Sequence, residues 1–297
     1  MTALRAHVEL QRSTAMKMKG EYEAALELLV RSERHFAEAA VCRTEIGTVR
    51  WARAIILFKM ERLTEAAQVA QKARHISEEA GDWRGVSRAR MIAGCIAAER
   101  GEIASAKRTF LDLLRSTPRS DRITVARLSL NLATCDLRAG AFGAAREQLT
   151  HATEVFASLG VTTEVARAQW LDAKITAAEG DVPRALLKFR QAMSEFETLK
   201  MPLDAGFSGL DLLELLLATG RQRAEAERLA RRLVTTFVTA GTRTSAANAL
   251  TYLREAVATR EADAVLVRYV STYVRRSSVY ADEPFLPPES AAEPPTG

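Results

Sequence analysis

The chain has 297 residues, a formal net charge of +5, 47% hydrophobic residues and only 6% aromatic residues. Its core must therefore consist mainly of alanine and leucine. Its most apolar stretch, 210–218, is too short and too interrupted by acidic residues to span a membrane. Three cysteines without a CxxC pair do not form a disulfide framework, and the first twenty residues lack the apolar segment of a secretory signal. We therefore expect a soluble protein of the reducing cytoplasm.

The helix-breaking residues are unevenly distributed. Five of the eight prolines lie in residues 284–297, which leaves the body of the chain almost free of breakers, as an all-helical fold requires. The segment 281–297 also has four acidic and no basic residues, so we expect it to be disordered or extended. The remaining 42 basic and 33 acidic residues give the body a charge of +9, which weakly favours acidic or phosphate-bearing partners. An ordinary solvated, arginine-rich face would have the same composition.

A repeat of about 40 residues runs through the body of the chain. Apolar helical stretches end mostly at glycine, the residue that adopts the left-handed conformation at least cost. The seven turn positions are Gly20, Glu61, Gly101, Gly140, Gly180, Gly220 and Arg260. A second set of turns lies between them, so each unit contains two helices.

The residues after each turn repeat as well. Apolar side chains recur two and nine residues after the turn and alanine recurs five residues after it, all on one helix face. Alanine at the middle position permits close helix approach. The pattern breaks at Gln222 and Glu225, where we expect an irregularity. The predicted fold is a single all-α solenoid (a superhelix) of about seven antiparallel helix pairs over residues 1–280, capped by a last helix at 262–276.

Two features carry a resemblance to a known family. A turn glycine is followed by an alanine and, four residues after that alanine, by a phenylalanine, as in Ala106 and Phe110. This pattern resembles the second helix of the tetratricopeptide repeat. Within residues 122–286, the stretches AQWLDAKI, GDV and LDAGF resemble the C-terminal, sensor-like repeats of bacterial regulatory proteins. In that group a helix-turn-helix or small zinc-binding domain often precedes the repeats. No such domain precedes them in this sequence, so the resemblance implies a stand-alone repeat protein or one that has lost its partner domain.

The resemblance also implies that the first helix of each pair lines a concave groove. On this first helix, the residue thirteen positions before the turn is arginine in three successive units. The residue ten positions before the turn is large and apolar. The predicted groove residues are Arg88, Arg127 and Arg167, the apolar Trp51, Met91, Leu130 and Trp170, and Lys174. Arginine suits carboxylates or phosphates, and tryptophan suits anchor contacts with a partner. Alternatively, the arginines pair with acidic residues of neighbouring helices and the tryptophans belong to the core between repeats.

The sequence has no recognisable catalytic or metal-binding motif. Its four histidines are scattered, and HExxH, GxSxG, phosphate-loop and GxGxxG patterns do not occur. Cys95 and Cys135 lie on the first helices of adjacent units; buried thiols are the ordinary interpretation, and metal or redox use is the alternative. We therefore expect a non-enzymatic protein with no cofactor and no metal.

Three functional hypotheses fit these observations. The first is a protein- or peptide-binding scaffold or adaptor, or the sensor part of a bacterial regulatory system, with a ligand that carries acidic groups. The second is a nucleic-acid-binding helical array, which the basic body favours but which lacks interleaved aromatics and a recognition helix; steep salt dependence would reveal it. The third is a structural solenoid that stacks into a homo-oligomer, which size-exclusion chromatography at several concentrations would reveal.

Phe189→Ala tests the proposed helix register. Phe189 lies nine residues after its turn, in the predicted interhelical core, so its truncation should lower the free energy of unfolding by roughly 3–5 kcal/mol. Urea unfolding followed by circular dichroism measures the change. An unchanged unfolding midpoint would show that the register is wrong.

Overall fold

The computed structural model describes residues 2–39, 43–220, 222–242, 244–277 and 285–288. These residues form fourteen α-helices and no β-strand, and consecutive helices pack against each other in pairs. The helices are α1 Thr2–Lys19, α2 Tyr22–Glu38, α3 Arg43–Lys59, α4 Leu63–Glu79, α5 Trp83–Glu99, α6 Ile103–Ser116, α7 Arg122–Arg138, α8 Phe142–Ser158, α9 Thr162–Ala178, α10 Val182–Thr198, α11 Pro202–Thr219, α12 Arg223–Thr239, α13 Thr244–Thr259 and α14 Ala264–Ser277. The predicted all-α fold of about seven helix pairs is confirmed.

Most helix pairs share one type of turn. At the end of α7, the Gly140 amide donates to the Leu137 carbonyl at 3.0 Å, and the Ala141 amide donates to the Asp136 carbonyl at 2.8 Å. These two hydrogen bonds close the helix end and require a positive φ, which is +73° at Gly140. Glu61 adopts the same conformation, with a φ of +55°. Because Glu61 has a Cβ, this conformation costs it about 1–2 kcal/mol relative to glycine.

The predicted core face of the second helices is buried. The alanines five residues after the turn have no exposed surface; they are Ala25, Ala66, Ala106, Ala145 and Ala185. Phe189, nine residues after its turn, is buried as well. In the sixth pair, Gln222 has a φ of +70° and α12 begins one residue later, so that the buried Ala226 takes the alanine position. The irregularity there is a one-residue insertion in the turn.

The second helix of the third pair ends early. Helix α6 has 14 residues, whereas α2, α4, α8, α10 and α12 have 17 each. Thr117 has an extended backbone, with φ −81° and ψ 127°, because the following Pro118 disfavours helical conformation in the preceding residue. The last turn that the other second helices possess is therefore missing from α6.

The chain divides into two compact units, residues 1–201 with α1–α10 and residues 202–297 with α11–α14. The continuity of one array over residues 1–280 stays a prediction. Within the described residues, no helix combines the length and the hydropathy that a bilayer span requires.

Four residues of the C-terminal segment, 285–288, contact the second unit. The Phe285 ring lies 5.0 Å from Tyr273, 5.4 Å from Tyr252 and 6.1 Å from Tyr269, measured between centroids. The Tyr269 hydroxyl donates to the Leu286 carbonyl at 2.8 Å. The rest of the segment 281–297, for which disorder is predicted, lies outside the described residues, as does Cys42.

Gly140 and Gly143 form a matched pair that tests the turn. No described atom lies within 4 Å of the position that a Cβ would take at either residue, so neither substitution by alanine creates a clash. Gly140→Ala should lower the free energy of unfolding by about 1–2 kcal/mol because alanine resists positive φ. Gly143→Ala, within α8, should raise it by about 0.5 kcal/mol. Chemical denaturation measures both, and effects of the same sign would contradict this account of the turn.

Candidate functional site

The first helices of the units in residues 1–201 contact one another directly. Helix α3 contacts α5, α5 contacts α7, and α7 contacts α9. Helices α1 and α3 together line a cavity of about 180 Å³. All eight predicted groove residues lie on α3, α5, α7 and α9. We call the surface formed by Lys17, Trp51, Arg88, Arg127, Glu164, Arg167, Trp170 and Lys174 the inner face.

Three groups position Arg88. Its Nη2 donates to Thr48 Oγ1 at 3.3 Å and lies 3.8 Å from Asp82 Oδ2, and its guanidinium carbon lies 4.8 Å from the centroid of the Trp51 ring. A cation over an indole face is stabilised by about 0.5–1 kcal/mol at a partly exposed site. The Nε of Arg88 is shielded from solvent and has no hydrogen-bond partner among the described residues. Arg88 is therefore preorganised, and its side chain remains 34% exposed.

Arg127 and Arg167 share one carboxylate. Arg127 Nε lies 3.4 Å from Glu164 Oε1, and Arg167 Nη1 lies 3.5 Å from Glu164 Oε2. The Glu164 side chain is 13% exposed, whereas the Arg127 side chain is 47% exposed. The expectation that these arginines pair with acidic residues of neighbouring helices is correct for Arg127, while Arg167 pairs within its own helix. The Glu164 carboxylate therefore lies between two guanidinium groups.

Lys17 extends the positive charge to α1. Burial and then repulsion by Arg167 and Arg127 lower its pKa, and Glu164 partly offsets this effect. The end of α1 therefore lies within electrostatic reach of α7 and α9, although these helices are far apart in sequence. Lys17 also lines the cavity beside Trp51. The inner face is thus one electropositive surface rather than a row of separate arginines.

The second tryptophan of the inner face also carries a cation. Trp170 lies edge-on to Phe196, with ring centroids 5.8 Å apart and planes at 88°. Lys174 Nζ lies 4.7 Å from the Trp170 centroid. Because Phe196 is fully buried, one edge of Trp170 is anchored on the core while the residue remains partly exposed. The pairs Arg88–Trp51 and Lys174–Trp170 therefore repeat the same aromatic–cation arrangement.

Met91 and Leu130 have a packing role. Both are partly buried: Met91 packs against the cluster that contains Phe110 and Leu132, and Leu130 packs against the clusters that contain Leu149 and Phe156. The alternative that the apolar column belongs to the core between repeats therefore holds at least for these two side chains. Their contact with a partner stays a prediction.

Sequence reasoning did not find Lys17 or Glu164. The predicted groove positions lie six, ten and thirteen residues before each turn. Lys17 lies three residues before its turn, and Glu164 lies sixteen residues before its turn. Steps of three residues keep to one helix face, so extending the count in both directions would have found them.

The two described thiols do not form a reactive centre. Burial raises the pKa of Cys95 to about 12 and also raises the pKa of Cys135. Both are free thiols, and at neutral pH both are protonated and therefore poor nucleophiles. Within the described part of the chain, no group of three or more His, Cys, Asp or Glu side chains is arranged to hold a metal ion.

Comparisons with known proteins identify the fold. No protein-family model matches the chain, and no curated protein matches it in sequence. Among solved structures, a Rap protein complexed with Competence and Sporulation Factor has a TM-score of 0.64 at 14% identity, over 92% of this chain and 78% of the other. The Rap conjugation gene regulator of plasmid pLS20, in complex with the Phr* peptide, has a TM-score of 0.63 at 10% identity, over 94% of this chain and 77% of the other.

A third similar structure names the repeat type. It is a signal transduction ATPase with numerous domains (STAND) from Pyrococcus horikoshii, which has a tetratricopeptide repeat sensor. Its TM-score is 0.53 at 15% identity, over 92% of this chain and 42% of the other. At these identities the likeness concerns the fold. The chain has a tetratricopeptide-type helical-repeat fold.

Lys17→Met tests the electrostatics of the inner face. A lowered pKa means that the charged lysine is less stable in the folded than in the unfolded chain, and this penalty is fully present at pH values below the folded pKa. Removal of the charge should therefore raise the melting temperature at pH 7 and low salt. Lys19→Met, on the exposed end of the same helix, serves as the control. A melting temperature that falls in the first variant would contradict this view of the surface.

Proposed function

We propose that the chain is a non-enzymatic binding module that accepts a peptide or protein segment with acidic groups on the inner face of residues 1–201. In the cell it would be a cytoplasmic scaffold or the sensor part of a bacterial regulatory system. The acidic groups of the ligand contact Arg88, Arg127, Arg167 and Lys17, and its apolar side chains contact Trp51 and Trp170.

The environment of Arg88 carries this proposal. Its guanidinium group is fixed by Thr48, Asp82 and Trp51, so little conformational entropy is lost when a ligand binds. Its shielded Nε–H has no acceptor among the described residues. The Arg88 side chain as a whole is 34% exposed, so a ligand carboxylate is able to approach its guanidinium group.

The charge balance of the inner face supports an acidic ligand. The inner face contains five cations, Lys17, Arg88, Arg127, Arg167 and Lys174, and the carboxylates of Asp82 and Glu164 lie beside three of them. The repulsion that lowers the pKa of Lys17 would be relieved by a bound anion. Binding of an acidic segment should therefore be favoured by the whole surface and should weaken as salt screens it.

The structural neighbours support a peptide as the ligand class. The pLS20 regulator is in complex with the Phr* peptide, and a Rap protein is complexed with Competence and Sporulation Factor. A surface with preformed aromatic and cationic contacts suits an extended segment, because affinity can be assembled from many modest contacts.

The test compares two triple variants in affinity capture from the native cell and in binding measurements with the captured ligand. Arg88→Gln/Arg127→Gln/Arg167→Gln removes three inner-face charges without adding carboxylates beside Glu164. Arg34→Gln/Arg108→Gln/Arg119→Gln removes three exposed charges elsewhere in the same unit. The inner-face variant should bind the captured ligand about tenfold or more weakly, since each screened contact contributes about 0.5–1 kcal/mol.

Circular dichroism of both variants controls for folding. Equal affinity of the two folded variants would contradict the inner face as the binding surface. Capture of nucleic acid, with affinity that falls steeply between about 50 and 200 mM salt, would favour the helical-array alternative instead.

A further inference from the structure

Four second helices carry a phenylalanine at the same place near their C-terminal end. In three of these pairs it is the sixteenth residue after the turn glycine. In the sixth pair, whose turn has one inserted residue, it is the seventeenth. These side chains have no exposed surface; they are Phe36, Phe156, Phe196 and Phe237. In the second and third pairs the same position is occupied by Ser77 and Thr117. Two successive units therefore lack a ring that the other units bury completely.

A cavity of about 390 Å³ lies at this place, between the end of α4, the start of α5 and the end of α6. Its wall includes Ser77, Trp83, Ser87, Leu113 and Thr117. Near Ser77 the helices approach closely, because Cβ atoms at Gly47 or Gly85 would overlap the Ser77 hydroxyl. Near Thr117, α6 ends one turn early, and Thr117 and Leu113 form part of the cavity wall. The space thus remains open where a phenylalanine ring would otherwise lie.

The interior of this cavity has hydrogen-bonding groups that lack partners. Ser77 is 1% exposed, and neither its Oγ nor the Oγ of Ser87 has a hydrogen-bond partner among the described residues. The Thr117 hydroxyl, in contrast, donates to the Leu113 carbonyl at 2.7 Å. The Ser77 and Ser87 oxygens are each able to accept a hydrogen bond from a donor in the cavity.

The mouth of the cavity presents an exposed aromatic residue. Trp83 lines the cavity and yet keeps 47% of its surface exposed, with the Arg84 guanidinium 5.3 Å from its ring centroid. Exposed tryptophans beside a pocket are typical anchors in protein interfaces. The rim also carries Glu78 and Arg90, which are able to pair with polar groups of an incoming chain.

We propose that this cavity binds a tyrosine side chain of a partner polypeptide. The ring would occupy the space that phenylalanine fills in the other units, and the hydroxyl would donate to Ser77 Oγ or Ser87 Oγ. The flanking backbone of the partner would lie across Trp83. A phenylalanine would leave the buried oxygens without a donor. A phosphotyrosine would bring its negative charge close to Glu78, which disfavours it.

This site is independent of the inner face. Ser77, Ser87 and Thr117 are not inner-face residues, and variants at the two places do not overlap. Loss of one binding activity therefore does not imply loss of the other.

The test uses three probes and the full chain: N-acetyl-tyrosine methylamide, N-acetyl-phenylalanine methylamide and p-cresol, titrated by saturation-transfer NMR. Thr117→Phe and Ser87→Leu fill the cavity, and Ser105→Leu on the exposed side of α6 is the control. The tyrosine probe should bind the wild type and the control saturably, about tenfold more tightly than the phenylalanine probe. Its binding should be lost in both filled variants, with folding checked by circular dichroism.

A second readout needs no filled variant. In the variant Trp51→Phe/Trp170→Phe, Trp83 is the remaining tryptophan, and its emission should change with the tyrosine probe. Equal affinity for the tyrosine and phenylalanine probes, unchanged binding in a folded filled variant, or a Trp83 emission that does not respond would each overturn the proposal. Binding of p-cresol as tightly as the tyrosine probe, with no effect of Trp83→Ala on either, would point to a free phenol and overturn the polypeptide assignment.

Discussion

Each helix pair in this protein can bury its apolar face only against neighbouring pairs, and this stacking constraint determines most of the sequence pattern. Alanine five residues after the turn lets the two helices of a pair approach closely, and it has no exposed surface in five successive pairs. The turns need a residue with positive φ, which explains the spacing of the glycines. Positions that do not serve stacking are free to vary.

On the inner face, stacking and recognition share the same helices. Met91 and Leu130 are largely used for packing, whereas Arg88 and Lys174 lie over the partly exposed rings of Trp51 and Trp170. Glu164 contacts both Arg127 and Arg167 and holds them in place. The result is a surface whose cations are positioned before any ligand arrives. Such preorganisation reduces the entropy lost on binding.

The sequence was sufficient to predict the helix pairs, their period and the turns, because glycine and alanine recur at fixed offsets with a direct steric reason. It did not predict that Lys17 approaches Arg127 and Arg167, because that proximity depends on how five pairs curve in space. It placed Arg88 and Trp51 in separate columns, although one lies over the other across adjacent units. Side-chain pairing between units depends on rotamers and small shifts of helices, which a period cannot specify.

The cavity between α4, α5 and α6 illustrates a signal that the sequence contained but that pattern searching overlooked. Ser77 and Thr117 replace phenylalanine at a core position in two successive pairs, and Pro118 ends α6 early. A pattern defined by the residues that recur in every unit does not include the positions at which single units depart from it. In a stacked array, however, a small polar residue at a core position creates space and leaves polar groups without partners.

The measurement that tests the central claim most directly is the tryptophan emission of the Trp83→Phe variant during titration with the captured ligand. In this variant only Trp51 and Trp170, both on the inner face, contribute indole fluorescence. The account predicts a change in emission that saturates at the same ligand concentrations as binding itself. Intact binding with unchanged emission would show that the ligand lies elsewhere, and it would contradict the inner face as the recognition surface.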